Sequence, residues 1–238
     1  MTQLRIVAET GSTNADILAT LSGGEHWPEG RWLVADRQVA GRGRHGRAWF
    51  DGAGNFMGST VVHSAPGDPP AHTLSLLAGV ASYETLLPTL SDPSQLMLKW
   101  PNDVLLRRAK LAGILLERAG DATVVGIGVN LRAAPDLPDR QTVALSDHAP
   151  PPPRDTFAQS LADSFATELE RWRTYRLDPL LRRWQAAATP PDTQLTVHEP
   201  GGALVSGRYA GLAADGSLLL RLDNGERRAI HAGDVSLT

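Results

Sequence analysis

The sequence contains no cysteine among its 238 residues. A chain without thiols has no disulfide bonds, no cysteine nucleophile and no thiolate metal site. Its seven histidines lie far apart, without the paired spacing typical of zinc ligands. It also has neither a phosphate-loop motif ending in Gly-Lys-Ser/Thr nor a Gly-x-Ser-x-Gly nucleophile elbow. These absences argue against a zinc enzyme, a thiol enzyme and a triad hydrolase.

Long hydrophobic runs are also missing. No stretch approaches 18 uninterrupted apolar residues, and the segment that begins at Met1 has no apolar core followed by a cleavage site. We therefore expect a soluble, cytoplasmic protein without a membrane segment. There is no excess of positive charge, because 23 Lys and Arg are set against 26 Asp and Glu. Since nucleic-acid-binding domains are usually basic, we expect no broad contact with DNA or RNA.

The hydrophobic pattern predicts a mixed α+β fold. Short apolar runs predict strands at 4–8, 32–35, 55–63, 96–100, 104–106, 111–117 and 122–130. Helical spacing predicts one helix that begins near Ser12, a second over 73–90, and a third for which Asp155 is the expected N-cap. The pair Asn102 and Asp103 is expected at a turn, since it follows a proline at a strand end.

Two proline-rich segments divide the second half of the chain. Residues 133–154 end in four consecutive prolines and are expected to run over the surface, because proline disrupts helix interiors and central strands. A second break at 189–192 precedes four short strand candidates at 195–197, 204–209, 217–222 and 227–231. We therefore predict a main domain of residues 1–190 and a small β domain of residues 191–238.

The segment 38–49, Gln-Val-Ala-Gly-Arg-Gly-Arg-His-Gly-Arg-Ala-Trp, combines glycine with permanent positive charge. Glycine lets the backbone approach a ligand closely, and the guanidinium groups of Arg42, Arg44 and Arg47 suit anionic oxygens. Trp49 offers an aromatic face to an adenine ring. Similar segments also occur in solvated linkers and RNA-binding loops. Taken alone, the segment therefore predicts a nucleotide-phosphate loop or one of these alternatives.

Three further motifs are ambiguous when each is considered alone. The run Lys-Trp-Pro-Asn-Asp at 99–103 has ordinary turn chemistry. Lys110, at the start of Lys-Leu-Ala-Gly-Ile-Leu-Leu-Glu, is either a ligand-binding cation or a solvated lysine at a strand end. The run 125–130 contains Gly126 and Gly128, but no third glycine precedes a helix. It therefore does not indicate a dinucleotide fingerprint.

Together with Gly-Ser-Thr-Asn at 11–14, these motifs form an ordered set that resembles biotin protein ligases. The resemblance covers residues 9–131 closely, and the tail from Leu195 is similar to the small C-terminal domain of the family. Two positions depart from the pattern. His45 stands where many members carry a further arginine, and Arg132 stands where many carry a second asparagine.

The resemblance implies an α+β fold, in which a mixed-sheet catalytic domain of the biotin/lipoate ligase type precedes a small SH3-like β-barrel. It also implies a reaction in two steps. Biotin and ATP form biotinyl-5'-AMP and pyrophosphate, and a lysine of a biotin carboxyl carrier protein then accepts the biotinyl group. Mg²⁺ is implied with the nucleotide, held mainly by phosphates and water, with at most an indirect contact to Asp103.

The resemblance also implies roles for individual residues. Those implied in catalysis are Arg42, Arg44 and Lys110. Those implied in biotin binding are Ser12, Thr13, Asn14, Gln38, Gly41, Arg42, Arg44, Lys110, Gly113, Leu115, Gly126 and Gly128. Those implied in binding ATP and the adenylate are Arg42, Arg44, Arg47, Trp49, Lys99, Asn102, Asp103, Lys110 and Asn130.

Several alternatives stay open. A lipoate or octanoate protein ligase has a similar catalytic domain, but the Gly-Arg-Gly-Arg run favours biotin. A non-catalytic biotin sensor is disfavoured by the intact Lys110 and Arg44, and an RNA-binding module is disfavoured by the lack of interleaved aromatics. Family members that repress transcription carry a helix-turn-helix domain before the Ser-Thr-Asn motif. Only eleven residues precede Ser12, so direct DNA binding is not expected. A homodimer is left open.

Overall fold

The computed structural model describes residues 2–237. Met1 and Thr238, the outer limits of the two predicted domains, lie outside the described residues. The chain forms a seven-stranded sheet, a five-stranded sheet and, within residues 2–237, four α-helices. The α+β class and the antiparallel β domain near the C-terminus are therefore confirmed.

The larger sheet contains both parallel and antiparallel neighbours. Its strands are β1 (Gln3–Thr10), β2 (Arg31–Gln38), β3 (Phe56–His63), β4 (Leu96–Lys99), β5 (Asp103–Leu106), β6 (Ala109–Ala119) and β7 (Ala122–Val129). They are ordered β1-β2-β3-β7-β6-β5-β4. Only the pair of β1 and β2 is parallel among the described pairs. Asp103 is the first residue of β5, so its predicted place at a turn is wrong, whereas Asn102 does lie in the turn.

Helices cover both faces of this sheet. Helix α1 (Thr13–Ser22) begins after Ser12, whose hydroxyl accepts a hydrogen bond from the Ala15 amide, and packs on one face. On the other face lie α2 (Leu74–Leu86), α3 (Arg154–Tyr175) and α4 (Leu177–Ala186). Phe165 meets Trp32 edge-on at a centroid distance of 5.4 Å. Phe157, Phe165 and Trp172 of α3 are all buried and belong to the core.

Two predicted helix limits are wrong. The second helix does not reach residue 90, because α2 ends at Leu86 and a 3₁₀ turn with Pro88 follows, where proline lacks the N–H that would continue the α-helical bonds. The third helix begins at Arg154 after the extended backbone of Pro153. Asp155 is therefore in the first turn instead of at the N-cap, where its charge still suits the helix dipole.

The smaller sheet has one strand more than the sequence predicts. Its strands are β8 (Gln194–His198), β9 (Leu204–Leu212), β10 (Leu218–Arg221), β11 (Arg227–Ile230) and β12 (Asp234–Leu237), in the order β11-β10-β9-β8-β12. The missed strand, β12, has only four residues, Asp-Val-Ser-Leu, and is held by backbone pairing with β8. The apolar face of this sheet joins the same core as α2 and α4, and Trp100 Nε1 donates to the Gly216 carbonyl at 3.1 Å.

Residues 133–154 are not entirely a surface connection, so that prediction is wrong in part. Val143, Ala144 and Leu145 are buried. Their backbone is satisfied by the end of the larger sheet, because the Val143 amide donates to the Lys110 carbonyl and the Leu145 amide donates to the Asn130 carbonyl. This segment therefore lies directly beside two residues that the sequence marks as functional.

Candidate active site

Glycines form a cradle on one face of β6 and β7. Gly113 is paired with Gly128, and Leu115 is paired with Gly126. Because directly paired residues point to the same side of a sheet, these positions share one face and leave the backbone uncovered. A Cβ atom at Gly126 would collide with the Asn14 side chain, and one at Gly128 would collide with the Trp49 indole. The glycines are therefore required for the close packing of two other candidate site residues.

Lys110 stands beside this cradle, near the start of β6 where a β-bulge interrupts the pairing with β5. A Cβ atom at Gly113 would lie 3.1 Å from Lys110 Nζ. The same Nζ is 2.5 Å from Asp103 Oδ1, and Lys99 Nζ is 3.0 Å from Asp103 Oδ2. Burial disfavours the charged carboxylate, but attraction to Lys110 and Lys99 outweighs it and holds the pKa of Asp103 well below its usual range. One buried carboxylate thus orients two ammonium groups.

The glycine-rich segment folds back on itself above the cradle. The Trp49 amide donates to the Gly41 carbonyl at 2.9 Å, and the Gly43 amide donates to the Arg47 carbonyl at 2.7 Å. This arrangement places the Trp49 ring against Gly113 and Gly128, with Lys110 Nζ 5.8 Å from its centroid. Trp49 Nε1 is buried and has no hydrogen-bond partner among residues 2–237. The indole thus forms an apolar wall with one unused donor.

Two arginines of the same segment meet a carboxylate of the smaller sheet. Arg47 NH2 is 2.7 Å from Asp234 Oδ2, and Arg44 NH1 is 3.5 Å from Asp234 Oδ1. Arg44 also donates to Asn102 Oδ1 at 3.2 Å. Partial burial opposes ionisation of Asp234, but the guanidinium groups of Arg44 and Arg47 more than offset it and lower the pKa. β12 therefore holds the arginine-rich segment close to Asn102.

A buried polar network lies at the Asn14 end of the cradle. Gln38 Oε1 accepts a 2.7 Å hydrogen bond from the Thr13 amide, and Thr13 Oγ1 is 2.6 Å from Ser59 Oγ. Ser59 Oγ donates to Asn14 Oδ1 at 2.6 Å, and Asn14 Nδ2 donates to Glu117 Oε2 at 2.7 Å. Asn14, Thr13 and Ser59 are 4%, 3% and 0% exposed. A water-excluded site with several directional polar groups is therefore present at this end.

Asn130 contributes a further polar atom at the other end of the cradle. Its Nδ2 donates to the Val143 carbonyl at 3.3 Å. Its Oδ1 is buried and has no partner among the residues that the structure describes. Because buried acceptors are rarely left unpaired in folded proteins, this atom is suited to a ligand donor.

The chain matches two family models. The model of the biotin/lipoate A/B protein ligase family matches residues 9–133, and that of the biotin protein ligase C-terminal domain matches residues 195–238. A biotin–[acetyl-CoA-carboxylase] ligase of Paracoccus denitrificans is 37% identical over 243 residues, which span 97% of this chain and 98% of that protein. This chain belongs to the biotin protein ligase family.

Two further comparisons agree with this membership. A biotin–[acetyl-CoA-carboxylase] ligase of Mycobacterium tuberculosis is 37% identical over 239 residues, covering 98% of this chain and 88% of that protein. The structure of a biotin protein ligase from Aquifex aeolicus in complex with biotin and ATP is similar with a TM-score of 0.87. It covers 100% of this chain and 99% of that chain at 24% identity, which establishes likeness of fold.

Most of the residues that the ligase motifs single out are brought to this one region. The polar network gathers Thr13, Asn14 and Gln38 beside the Ser12 helix cap, and the arginine-rich segment brings Arg44 and Arg47 to Asn102. Arg42 is the exception. Its side chain is exposed, and its pairing is a backbone bridge with Ala48. The structure therefore does not join Arg42 to the Lys110 cluster.

Three residues of the site were not singled out as site residues by the sequence. Ser59 lies inside an apolar strand, Glu117 ends the Lys110 motif, and Asp234 lies in the missed strand β12. The first has no distinguishing signal in a single sequence. Glu117 and Asp234 lie in segments that resemble biotin protein ligases. Their roles in this site could not be predicted, because they depend on contacts between distant parts of the chain.

Within residues 2–237, no three His, Cys, Asp or Glu side chains form a cluster that could hold a metal ion. Both oxygens of Asp103 already face ammonium groups. A search of the same residues also finds no helix with the length and hydrophobicity needed to span a bilayer.

Proposed function

We propose that this chain is an ATP-dependent biotin protein ligase, which joins biotin to a lysine of a carrier domain through biotinyl-5'-AMP. The observation that carries the proposal is the order of chemical environments along β6 and β7. The polar network lies at Gly126, and the Trp49 wall and the Lys110 ammonium lie together at the next pair along this face, Gly128 and Gly113. Biotin likewise has a polar ring at one end and a carboxylate at the other, with an aliphatic chain between them.

In this proposal the head group lies among Ser12, Thr13 and Gln38. The aliphatic chain lies along the glycines, where the Trp49 ring packs in this structure, so the ring moves aside when the ligand enters. The carboxylate then reaches Lys110. The adenine ring lies near Asn130, whose unpaired Oδ1 suits the exocyclic amino group. Each environment is buried or half-buried, so the contacts would form away from bulk water.

In the first step, an oxygen of the biotin carboxylate attacks the α-phosphorus of ATP. The new bond is O–P, and pyrophosphate leaves with the electrons of the broken P–O bond. Two anions must approach each other, and negative charge then builds on the phosphoryl oxygens, so catalysis depends mainly on positioned cations. Lys110 and Arg44 would supply them. Asp103 keeps the Lys110 ammonium oriented toward the cradle.

In the second step, the unprotonated amine of the carrier lysine attacks the carbonyl carbon of the mixed anhydride. An amide bond forms, AMP leaves with the electrons of the broken C–O bond, and the nitrogen releases a proton to solvent. Water would compete with the amine, so the anhydride must be shielded until the carrier arrives. Trp49 and the segment that Arg44 and Arg47 tie to Asp234 are placed to provide this shield.

Magnesium enters the proposal as part of the nucleotide substrate. The carboxylate of Asp103 already neutralises two lysines, and it belongs to no cluster of three or more His, Cys, Asp or Glu side chains among the described residues. This donor set does not fit a protein-held Mg²⁺, which prefers several oxygen ligands in octahedral geometry. The ion would instead be held by phosphates and water.

The remaining expectations belong to the same proposal. The acceptor is a biotin carboxyl carrier protein, and the place of action is the cytoplasm. The division at 190/191 is supported by the start of β8 at Gln194, next to the matched C-terminal domain model. Neither a homodimer nor contact with DNA is needed for the two steps.

The first step is tested by ATP–pyrophosphate exchange. The wild-type protein is incubated with MgATP, labelled pyrophosphate and either biotin, lipoate or no acid. We expect label to enter ATP only when biotin is present, since exchange requires reversible adenylation of the acid. Exchange with lipoate in place of biotin, or none with either acid, would exclude the proposed reaction.

A further inference from the structure

A loop of residues 135–142 lies beside the start of β6, next to the Lys110 cluster. Thr142 Oγ1 donates to the Pro135 carbonyl, which joins the two ends of the loop. The Lys110 amide donates to the Gln141 carbonyl at 2.9 Å, and Thr142 forms a parallel backbone bridge with Lys110 itself. Residue 140 therefore directly precedes a residue that is hydrogen-bonded to the backbone of Lys110.

This loop carries an arginine, Arg140, that no step of the proposed reaction uses. Arg140 Nε donates to Asp139 Oδ1 at 3.2 Å, and its NH2 group donates to Asp139 Oδ2. The two-pronged contact joins neighbouring residues, and the Asp139 side chain is 58% exposed. Exposed ion pairs add little stability, because both groups are well solvated when they separate. Asp139 is therefore a partner that Arg140 can exchange for another anion.

The charges around Arg140 are those of the active site. The hydrogen bond to Asp139 raises the pKa of Arg140 and burial lowers it, while attraction to Asp139, Asp103 and Asp234 adds to the rise. Asp103 and Asp234 are the carboxylates that hold the lysines and arginines of the site. The Arg140 guanidinium thus lies within electrostatic range of both, although neither is its hydrogen-bond partner.

The cations already assigned to the site leave too little positive charge for both substrates. In the described part of the chain, four of them share two carboxylates: Lys99 and Lys110 pair with Asp103, and Arg44 and Arg47 pair with Asp234. The positive charge that remains is smaller than the combined negative charge of MgATP and the biotin carboxylate. Arg140 would supply the difference once Asp139 turns toward solvent. Phosphate oxygens suit the same two-pronged contact and carry more charge than a carboxylate.

We propose that Arg140 binds the terminal phosphates of ATP, and that Asp139 occupies its guanidinium group until the nucleotide displaces it. This inference rests on the proposed function and deepens it, because it assigns a binding group to the leaving pyrophosphate. In-line displacement places that leaving group on the far side of the phosphorus from the attacking carboxylate. Its binding groups therefore belong beyond Lys110. The 135–142 loop adjoins Lys110 at the end of the cradle farther from the polar network.

Pyrophosphate exchange with saturating biotin separates the terminal phosphates from the rest of the nucleotide. In Arg140→Gln the charge is lost, but most of the side chain is kept. We expect the KM values for ATP and pyrophosphate to rise about five- to twentyfold, as for the loss of a partly exposed hydrogen bond to a charged group. The KM for biotin and the inhibition constant of AMP should stay within about twofold, since neither ligand has terminal phosphates.

The turnover number gives a second readout from the same variant. Arg140 would contact the same phosphates before and after the displacement, so its loss weakens ground state and transition state alike. We therefore expect kcat in Arg140→Gln to change less than about threefold.

Asp139→Asn distinguishes a phosphate-binding residue from a residue that only fastens the loop. Without the carboxylate charge, Arg140 loses its resident partner, and ATP and pyrophosphate no longer compete with it. We expect both KM values to fall about two- to fivefold, the range that an exposed ion pair allows. If the pair only fastens the loop, Asp139→Asn raises both values, as Arg140→Gln does. Opposite signs in these neighbouring variants therefore identify the proposed role.

Two further variants complete the design. Arg140→Lys keeps the charge but loses the planar two-pronged donor, so its KM for pyrophosphate should lie between those of wild type and Arg140→Gln. Arg182→Gln removes an exposed arginine on α4 and should leave all constants unchanged. Asp139 and Arg182 are exposed and Arg140 is half-buried, so we expect every variant to keep its cooperative thermal unfolding.

The outcomes separate the inference from the proposed function. Higher KM values for ATP and pyrophosphate in Arg140→Gln, together with lower values in Asp139→Asn, support the inference. Wild-type values in Arg140→Gln, an equal loss of AMP binding, or a parallel rise in Asp139→Asn overturn it, while exchange by the wild-type protein still supports the proposed function. If the wild-type protein shows no biotin-dependent exchange, the proposed function fails and the inference falls with it.

Discussion

Lys110 Nζ and Asp103 Oδ1 are 2.5 Å apart, and Lys99 shares the same carboxylate. Lys110 follows Asp103 by only seven positions, because both lie on the β5–β6 hairpin whose turn is formed by Arg107 and Arg108. The hairpin is thus the element that sets a cation beside the glycine cradle. A rigid element of this kind suits a group that must be in place before charge develops.

Replacing Lys110 by alanine tests the role of this cation. We expect biotin-dependent pyrophosphate exchange to fall about 100-fold or more, because a positioned charge is missing where phosphoryl charge builds up. Arg182→Ala, which removes an exposed cation on α4, is the matched control and should exchange at the wild-type rate. Exchange within a few-fold of wild type in Lys110→Ala would rule out this role.

Asp103 should make the stability of the protein depend on pH. Its folded pKa lies below the ordinary value of 3.8, so ionisation favours the folded state. That contribution is complete above the ordinary pKa and is lost as the pH falls through the lower folded value. We expect Asp103→Asn to lower the free energy of unfolding by about 2–3 kcal/mol at neutral pH, somewhat less than for a fully buried pair.

The check is denaturant unfolding of wild type and Asp103→Asn at several pH values. The difference between them should be largest near neutral pH and should shrink between about pH 5 and about pH 2. Asp223→Asn, in an exposed turn of the smaller sheet, should change little. A difference for Asp103→Asn that stays constant over this range would show that its ionisation does not stabilise the fold.

The contact between Asp234 and the arginines of the glycine-rich segment predicts how well that segment is protected. In Asp234→Asn, Arg44 and Arg47 lose their ionised partner on β12. We expect limited trypsin digestion of the ligand-free protein to cleave between residues 42 and 48 several-fold faster, since cleavage follows local opening. Asp215→Asn, elsewhere in the smaller sheet, serves as control. Equal cleavage rates would show that Asp234 does not hold the segment.

Gly128 tests the cradle itself. An added Cβ atom would collide with the Trp49 indole, so Gly128→Ala must displace the ring or the strand. We expect the KM for biotin to rise about tenfold, a size typical of one methyl group misplaced in an apolar pocket. Gly23→Ala is the control, because a Cβ there would make only ordinary contacts at 3.4 Å and beyond. Unchanged KM values in both variants would show that biotin does not use this cradle.

The sequence predicts the parts of the site that are formed locally. The helix that begins after Ser12 and the hairpin that carries Lys110 follow from capping and strand patterns over a few residues. The ordered motifs then add the resemblance to biotin protein ligases. The positions of individual helices and strands could therefore be predicted from the sequence. The predicted end of α2, which is at Leu86, and the predicted start of α3, near Asp155, differ from the structure by a few residues.

What the sequence could not predict depends on register and on distant pairing. Gly113 and Gly128 face each other only because of the register between β6 and β7, and no single motif specifies that register. Glu117 reaches Asn14 across 103 positions, and Asp234 meets Arg47 across 187. Val143 to Leu145 is buried only because the end of the larger sheet supplies its hydrogen bonds. Such contacts arise from the assembled fold.

The most direct test of the central claim is the intact mass of a purified biotin-acceptor carrier domain after incubation with this protein and MgATP. We predict that the carrier gains the mass of one biotinyl group when biotin is present, that the gain requires ATP, and that replacing the acceptor lysine by arginine abolishes it. No gain with biotin under these conditions, or the gain of a lipoyl group when lipoate is supplied instead, would contradict the account.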